Sequence, residues 1–161
     1  MKLYHGSDVI VDKPQVRKPN RTLDYGSGFY TTTSYDQAEK WVRRKLSENI
    51  PCGYVCVYEI DEQDIANLDV LRFDSPNESW LDFVMENRTN KGFTHPHDIV
   101  YGPVANDRVY AAFGLYESGI LNKQELIREL RAYKLVDQML FHTEKALGKL
   151  TFVESIKITQ Q

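Results

Sequence analysis

The chain has 161 residues, and its 20 Lys and Arg against 23 Asp and Glu give a formal net charge of −3 at pH 7. This length is typical of one domain whose hydrophobic core is large enough to be stable without disulfides. The slightly acidic balance gives no overall attraction to nucleic acid or anionic lipid, so binding of a polyanion has to depend on a local group of cations.

Two cysteines, Cys52 and Cys56, lie close together in the strand-like segment PCGYVCVYEI, with no histidine at metal-ligand spacing. Such a pair favours a structural role over a disulfide framework or a metal site. The N-terminal MKLYHGSDV lacks the apolar core of a signal peptide, and no run approaches the roughly 18 apolar residues of a membrane span. We therefore expect a cytoplasmic protein without membrane association or bound metal.

Strand-like segments recur along the whole chain. Each is rich in Tyr, Val, Ile, Phe and Thr and is bounded by Gly, Pro, Asn or Asp, and several alternate with period two. In chain order they are MKLYHG, GFYTTT, YVCVYEI, LDVLRF, HDIVYGPV, DQMLFHT and TFVESIKI. The pattern predicts seven strands.

Helices are predicted from their starts, because polar caps followed three residues later by Glu or Gln have the spacing of a capping box. Ser34, Ser75 and Asn122 have this spacing, and Asn106 begins a further candidate that ends at Gly119. The helices are expected at about 35–48, 76–88, 106–118, 123–133 and 144–149.

Strands and helices mix without strict alternation, and there is no repeat, linker or low-complexity segment. The sequence therefore predicts a single α+β domain over residues 1–161. Segment 12–26, DKPQVRKPNRTLDYG, contains two prolines and four cationic residues and is expected to be a surface loop.

Two short motifs stand before or within predicted strands. His5 lies in LYHGS at the end of the first, and a single histidine at a strand end is usually structural. The segment GSGFYTT begins with Gly26 and Gly28 and continues into the second strand. A single Gly-x-Gly is more typical of a tight turn than of a ligand site.

The joint occurrence in chain order of LYHGS, GSGFYTT and an aromatic residue, Trp41, eleven residues after Tyr30, resembles the poly(ADP-ribose) polymerase branch of the ADP-ribosyltransferase superfamily. A bacterial family of this superfamily, long of unknown function, is similar over nearly the whole chain. That similarity runs through LYHGS, GSGFYTTT, WLDFVMENR, DIVYGPVANDRVY and DQMLFHTEKAL. The resemblance implies a split, antiparallel-rich sheet with flanking helices and NAD⁺ as the cofactor.

The superfamily's third motif residue is a glutamate on a late strand, and Gln138 occupies the matching place here. The resemblance therefore implies His5, Tyr30 and Gln138 as the catalytic set. It assigns to His5 a hydrogen bond with the adenosine ribose and to Gln138 the orientation of the nicotinamide ribose. The general base is left open between the acceptor itself, Asp107 and Glu144.

The remaining cofactor contacts implied by the resemblance surround the nicotinamide. The Gly6 backbone and Ser7 would hold its amide, Tyr30 and Trp41 would stack on the two faces of its ring, and Gly28 would lie beside the cofactor. A residue without Cβ, such as Gly6, lets a ligand approach the backbone closely.

Cations in the 12–26 loop have two open interpretations. Arg17, Lys18 and Arg21 either lie over the cofactor, with Arg17 or Arg21 holding its pyrophosphate, or form a solvated charge run. Arg43, Arg44 and Lys45 are expected to be a solvated helix face.

Three further histidines are less informative. His95 and His97 in FTHPHD lack a third metal ligand, which favours a turn. His142 falls on the same strand face as Gln138 and is expected either to line the cleft or to cap the following helix.

The resemblance implies a mono-ADP-ribosyltransferase that modifies a macromolecular acceptor, protein or nucleic acid. The resemblance also implies the role of a toxin or defence effector that a small, antitoxin-like protein partner neutralises. Because glutamine replaces the glutamate, two alternatives remain: a catalytically silent module that binds NAD⁺ or ADP-ribose, and an NAD⁺ glycohydrolase with water as acceptor.

Overall fold

Seven strands form two sheets in the computed structural model of the chain, which describes residues 1–16, 23–104, 107–133 and 135–160. In chain order the strands are β1 (Lys2–Ser7), β2 (Phe29–Thr31), β3 (Cys52–Glu59), β4 (Val70–Arg72), β5 (Ile99–Pro103), β6 (Asp137–Phe141) and β7 (Thr151–Thr159). Each overlaps one of the segments predicted from composition and alternation, so the existence of all seven strands is confirmed. β1, β3 and β7 extend one or two residues beyond their predicted segments.

The described part of the chain contains six helices. They are α1 (Tyr35–Lys45), α2 (Glu62–Ala66), α3 (Glu78–Thr89), α4 (Asp107–Glu117), α5 (Lys123–Arg131) and α6 (Glu144–Leu147). Five of them were predicted. The five-residue α2 was not, because so short a helix carries little periodic signal, although Asp61 caps it by accepting from Gln63 N at 2.8 Å.

The predicted caps are confirmed at two of the three capping-box positions. Ser34 accepts from Gln37 N, and Asn122 and Glu125 form a complete capping box. Ser75 was wrong as the cap of α3: Asn77 Oδ1 accepts from Trp80 N at 2.9 Å, so the helix begins two residues later than expected. The predicted start at Asn106 lies outside the described residues.

The two sheets define a split, mostly antiparallel architecture. One has the order β1-β3-β7 and the other β2-β6-β5-β4, and β4–β5 is the parallel pair among these ladders. Tyr4 and Thr32 join the sheets by two backbone hydrogen bonds of 2.8 and 2.9 Å. The fold is therefore α+β, as the sequence predicts.

The apolar side chains pack in three groups. Trp80 and Phe113, from α3 and α4, are fully buried with Leu140 on one face of the four-stranded sheet. Tyr58 and Phe141 belong to a second group that brings the two sheets together. The third group packs α1 on the three-stranded sheet and consists of Ala38, Val42, Val55 and Ile158.

Two predictions about individual side chains are settled by this packing. Trp80, Val84 and Asn87 form a buried stripe on α3, as expected of ordinary core packing. Cys56 is buried and Cys52 is partly exposed, and both are free thiols in the core-forming strand β3.

No helix of the described residues combines the length and apolar character needed to span a lipid bilayer.

Candidate active site

A cavity of about 440 Å³ lies where β1, β2 and the start of β6 meet one face of α1. His5, Gly6, Tyr30, Trp41 and Gln138 all line it. These five residues were singled out from the sequence, and they come from four different elements. The fold therefore brings most of the predicted site residues to one place.

His5 is held in one orientation by the neighbouring strand. Its Nδ1 lies 2.7 Å from the carbonyl oxygen of Tyr30. Because a carbonyl can only accept, Nδ1 carries the hydrogen and Nε2 keeps a free lone pair. Burial lowers the pKa of the imidazole, which opposes protonation of Nε2. His5 therefore offers the cavity a neutral hydrogen-bond acceptor.

Tyr30 presents its ring, while its hydroxyl is used inside the protein. The hydroxyl donates to the carbonyl oxygen of Gly26 at 2.5 Å and accepts from Tyr25 N at 3.2 Å. Burial strongly raises the pKa of Tyr30, so the phenol stays protonated. These contacts hold the ring in place and make Tyr30 unsuited to proton transfer.

Gly6 is required by helix packing. A Cβ at this position would lie 2.8 Å from the carbonyl oxygen of Ala38 and 2.9 Å from Val42 Cγ2. The space left by the missing side chain is therefore filled by α1. Gly6 still lines the cavity, and contact of its backbone with the nicotinamide amide stays a prediction. The close crossing of α1 over β1 carries Trp41 to the cavity, where its side chain is 42% exposed.

Ser7 and Gly28, also expected at the cofactor, are not among the lining residues. Ser7 Oγ accepts from Val9 N at 3.2 Å. Gly28 has φ 145°, and a Cβ there would clash with the carbonyl oxygen of Phe141 and lie 2.7 Å from Leu140 Cδ1. Gly28 thus allows the loop before β2 to lie directly on β6. The predicted phosphate ligands Arg17 and Arg21 lie outside the described residues.

Gln138 stands at the floor of the cavity and is only 8% exposed. Its Nε2 is buried and has no hydrogen-bond partner among the described residues. The nearby Tyr25 hydroxyl is already engaged, because it donates to the carbonyl oxygen of Pro103 and accepts from Trp80 Nε1, each at 2.8 Å. Since the amide nitrogen is the buried end, the amide oxygen is the atom that a ligand can reach.

Asp137 was missed by sequence reasoning, although it precedes Gln138 and also lines the cavity. Its carboxylate accepts from Thr32 Oγ1 at 3.1 Å, from Thr33 N at 2.9 Å, from the Tyr101 hydroxyl at 2.9 Å and from Thr33 Oγ1. Three of these hydrogen bonds tie β6 to the residues that follow β2, and the fourth ties it to β5. The sequence signal for Asp137 was its position as the first residue of the predicted strand DQMLFHT, directly before Gln138.

Arg44 is exposed, as the solvated-face prediction expects, and it also lines the cavity with Trp41, three residues earlier on α1. Side chains three residues apart share a helix face, and this spacing is the signal that points to Arg44. The solvated-face prediction holds for Arg43, which is exposed and pairs with Glu39 at 3.3 Å. Of the two suggested bases, Glu144 is not among the lining residues, and the side chain of Asp107 lies outside the described part.

His95 and His142 hydrogen-bond to the backbone of the turn that precedes β2. His95 Nε2 donates to the carbonyl oxygen of Tyr25 at 2.9 Å, and His142 Nδ1 to that of Ser27 at 2.6 Å. Their ring centroids are 4.1 Å apart. Both expectations for His142 were wrong: it is not a lining residue, and Thr143 caps α6 instead. In the described ranges, no three His, Cys, Asp or Glu side chains are grouped as metal ligands.

We expect the free energy of unfolding to fall as the pH is lowered below about 6.5. Burial lowers the pKa values of His5 and His95 in the folded protein from the ordinary 6.5. The unfolded chain therefore binds more protons in this window, and each such group costs up to about 1.4 kcal/mol per pH unit. Urea denaturation between pH 8 and 5 measures the slope. His95→Gln should reduce the slope, and an unchanged slope would contradict this origin.

The fold and the site define an α+β protein with a small-molecule-sized cavity between two joined sheets. The chain belongs to the family described as Protein of unknown function (DUF3990), whose model matches residues 1–152. A comparison with curated proteins found no match.

Proposed function

We propose that this protein is an NAD⁺-dependent mono-ADP-ribosyltransferase. One observation carries the proposal: His5, Gly6, Tyr30, Trp41 and Gln138, chosen from motifs far apart in the chain, line a single cavity. Residues selected for unrelated structural reasons have no cause to converge in this way. The volume of about 440 Å³ is within the roughly 300–1,000 Å³ typical of small-molecule sites.

Tyr30 and Trp41, two of the aromatic side chains that line the cavity, suit the nicotinamide of NAD⁺, which is flat and positively charged. A stacked aromatic pair contributes about 0.5–1.5 kcal/mol, and attraction between a cation and an indole or phenol face adds to this. Asp24 and Asp137 line the same cavity, and Asp24 is close enough to Tyr30 to act on its hydroxyl electrostatically. A cationic ring is therefore compatible with this end of the cavity.

The polar side chains suit the two riboses. His5 Nε2 accepts a hydrogen bond from one sugar hydroxyl, and the Gln138 amide oxygen accepts one from the 2′-hydroxyl of the nicotinamide ribose. In the reaction the C1′–nitrogen bond breaks and its electron pair leaves with neutral nicotinamide. The acceptor then bonds to C1′ and releases its proton. A ribose held by Gln138 keeps C1′ open to that attack.

A second candidate is a module that binds NAD⁺ or ADP-ribose without reacting, and the neutral amide of Gln138 favours it. A hydrogen bond to a neutral acceptor contributes roughly 0.5–1.5 kcal/mol, against 1.5–3 kcal/mol for a charged one. The difference of about 1–2 kcal/mol corresponds to roughly one order of magnitude in rate. Gln138 thus slows the chemistry without preventing it, which keeps the enzyme as our first choice.

Incubation with NAD⁺ labelled in the adenine moiety tests the proposal. We expect nicotinamide release, followed by chromatography, and retention of label by one of three separately added fractions: protein, DNA or RNA. Release without label transfer would identify a glycohydrolase. Binding without release would identify the silent module, and absence of both from a folded protein would overturn the proposal. The toxin or effector role and its protein partner stay predictions from the resemblance.

Trp41→Ala is expected to weaken NAD⁺ binding about 3- to 10-fold, because one stacking partner of the nicotinamide is lost. Isothermal titration calorimetry measures the affinity. Trp41 is 42% exposed, so its truncation should leave the fold intact. Leu115 on α4 has the same exposed fraction and is not a lining residue, which makes Leu115→Ala the matched control. Equal affinities of the two variants would argue against stacking on Trp41.

A further inference from the structure

One face of α1 forms a wall of the cavity. Gln37, Trp41 and Arg44 lie on it at positions i, i+4 and i+7, and all three line the cavity. Arg44 stands in the last turn of the helix. It is the only Lys or Arg among the described residues that line the cavity.

The neighbouring cations of α1 are engaged elsewhere, whereas Arg44 is not. Arg43 donates to the carbonyl oxygen of Thr159 at 3.2 Å and pairs with Glu39. Lys45 lies over the Trp41 ring, 5.3 Å from its centroid. Arg44 makes no hydrogen bond or ion pair with any residue that the structure describes. Its guanidinium donors are therefore available to a ligand.

The acids of the cavity are each held by other groups. Asp137 accepts four hydrogen bonds, three from Thr32 and Thr33, which follow β2, and one from Tyr101. Asp24 is buried and lies 3.8 Å from Arg88 Nη1. Asp24 is thus paired with an arginine and Asp137 is satisfied by neutral donors, and neither makes an ion pair with Arg44. Among the described residues, the Arg44 charge at α1 therefore has no carboxylate partner.

We infer that Arg44 binds the diphosphate of the nucleotide that occupies the cavity, an inference that rests on the proposed function. A guanidinium presents paired N–H donors that match two phosphate oxygens, and such charge-assisted bonds are about twice as strong as neutral ones. Trp41, one turn earlier on the same face, lies where it contacts a ring attached to that diphosphate. The dipolar ligand that fits has a flat, cationic part near Tyr30 and an anionic part near Arg44.

The test compares three ligands on three proteins by calorimetry. ADP-ribose carries the diphosphate without nicotinamide, nicotinamide riboside carries the cationic ring without phosphate, and NAD⁺ carries both. Wild type is compared with Arg44→Gln and with Arg43→Gln, the matched loss of an exposed arginine on the same helix. We expect Arg44→Gln to weaken ADP-ribose and NAD⁺ about 10- to 100-fold and to leave nicotinamide riboside unchanged. Arg43→Gln should bind all three like wild type.

The salt dependence of ADP-ribose binding gives a second readout. Affinity of wild type should fall as NaCl is raised, and Arg44→Gln should flatten that dependence because the charge pair is gone. Circular dichroism melting of each variant confirms that it is folded.

The outcomes separate this inference from the proposed activity. If NAD⁺ is cleaved but Arg44→Gln binds ADP-ribose as well as Arg43→Gln does, the inference is overturned and the activity stands. If ADP-ribose binding depends on Arg44 but no nicotinamide is released, the activity fails and the inference stands. If wild type binds neither ADP-ribose nor NAD⁺, or if Arg44→Gln weakens nicotinamide riboside equally, the inference is wrong.

Discussion

Gln138→Ala is expected to abolish release of nicotinamide and transfer of label, with little loss of stability. The side chain lines the cavity, and its buried Nε2 has no hydrogen-bond partner among the described residues, so little internal hydrogen bonding is lost with it. The variant removes the group that we propose orients the ribose, whereas the opposite face of β6 continues to pack through Met139 and Phe141. Single-turnover assays measure the rate, and urea denaturation measures the stability.

Gln138→Glu is expected to raise the rate of nicotinamide release by about 10-fold. A carboxylate stabilises the positive charge that develops on the ribose in the transition state more than it stabilises the ground state. The added charge favours reaction with water as well as with the natural acceptor, so both rates are measured. A rise in hydrolysis without a rise in transfer would show that acceptor binding depends on the neutral amide.

Gln124→Ala on the exposed surface of α5 is the control for the same chemical change away from the cavity, and it should behave as wild type. If Gln138→Ala keeps full activity, Gln138 is not the third motif residue. Asp137 is then the residue to test, since it is the adjacent acid of the same cavity.

Gly28→Ala is expected to lower the free energy of unfolding by about 2–4 kcal/mol. Two effects add: φ 145° is strained for any residue with a Cβ, and the new methyl group meets the Phe141 carbonyl oxygen and Leu140 Cδ1. Both obstacles belong to fully buried residues of β6 and have little room to move. Urea denaturation at pH 7.5 measures the change.

Gly114→Ala is the matched control. Gly114 is an exposed interior residue of α4, and nothing lies within 4 Å of a Cβ built there. The same substitution should therefore stabilise the protein by about 0.5–1 kcal/mol, because alanine is the better helix former. A Gly28→Ala variant as stable as Gly114→Ala would show that the loop before β2 relaxes without cost.

Gly28→Ala is expected to change ligand binding as well as the free energy of unfolding, because the loop at Gly28 also positions the Tyr30 ring. The loop it closes carries the Gly26 carbonyl that accepts from the Tyr30 hydroxyl. A displaced loop releases this hydrogen bond and frees the Tyr30 ring to turn. Loss of nicotinamide-riboside binding by Gly28→Ala, measured where the variant is still folded, is therefore expected alongside its lower stability.

The seven strands and five of the six helices of the described chain were determined by the sequence itself. Their signals are local: alternating apolar and polar residues, β-branched and aromatic composition, and caps at fixed spacing. Where two residues a few positions apart both suit a helix cap, the local sequence does not predict which of them begins the helix. Ser75 and Asn77 both suit a helix cap, and only the backbone geometry of the complete turn decided for Asn77.

The candidate site was predictable only in part from the sequence. Motif residues were found because their types and order in the chain are visible, and five of them do meet in one cavity. The sequence alone was therefore enough to propose the Gln138 amide and the rings of Tyr30 and Trp41 as parts of the site. Their surroundings were not, since the hydrogen bonds of Asp137 and Tyr30 join residues that are distant in sequence or that meet only across a turn.

Only the tertiary structure decided the roles of Gly6, Gly28 and Arg44. The first two need glycine because another element crosses them within van der Waals distance, and such crossings depend on sheet order and helix placement. Arg43 and Arg44 are adjacent and chemically identical, yet one faces the C-terminal strand and the other faces the cavity. The sequence determines which groups the chain carries, whereas long-range packing determines which of them are left without a partner and so available to a ligand.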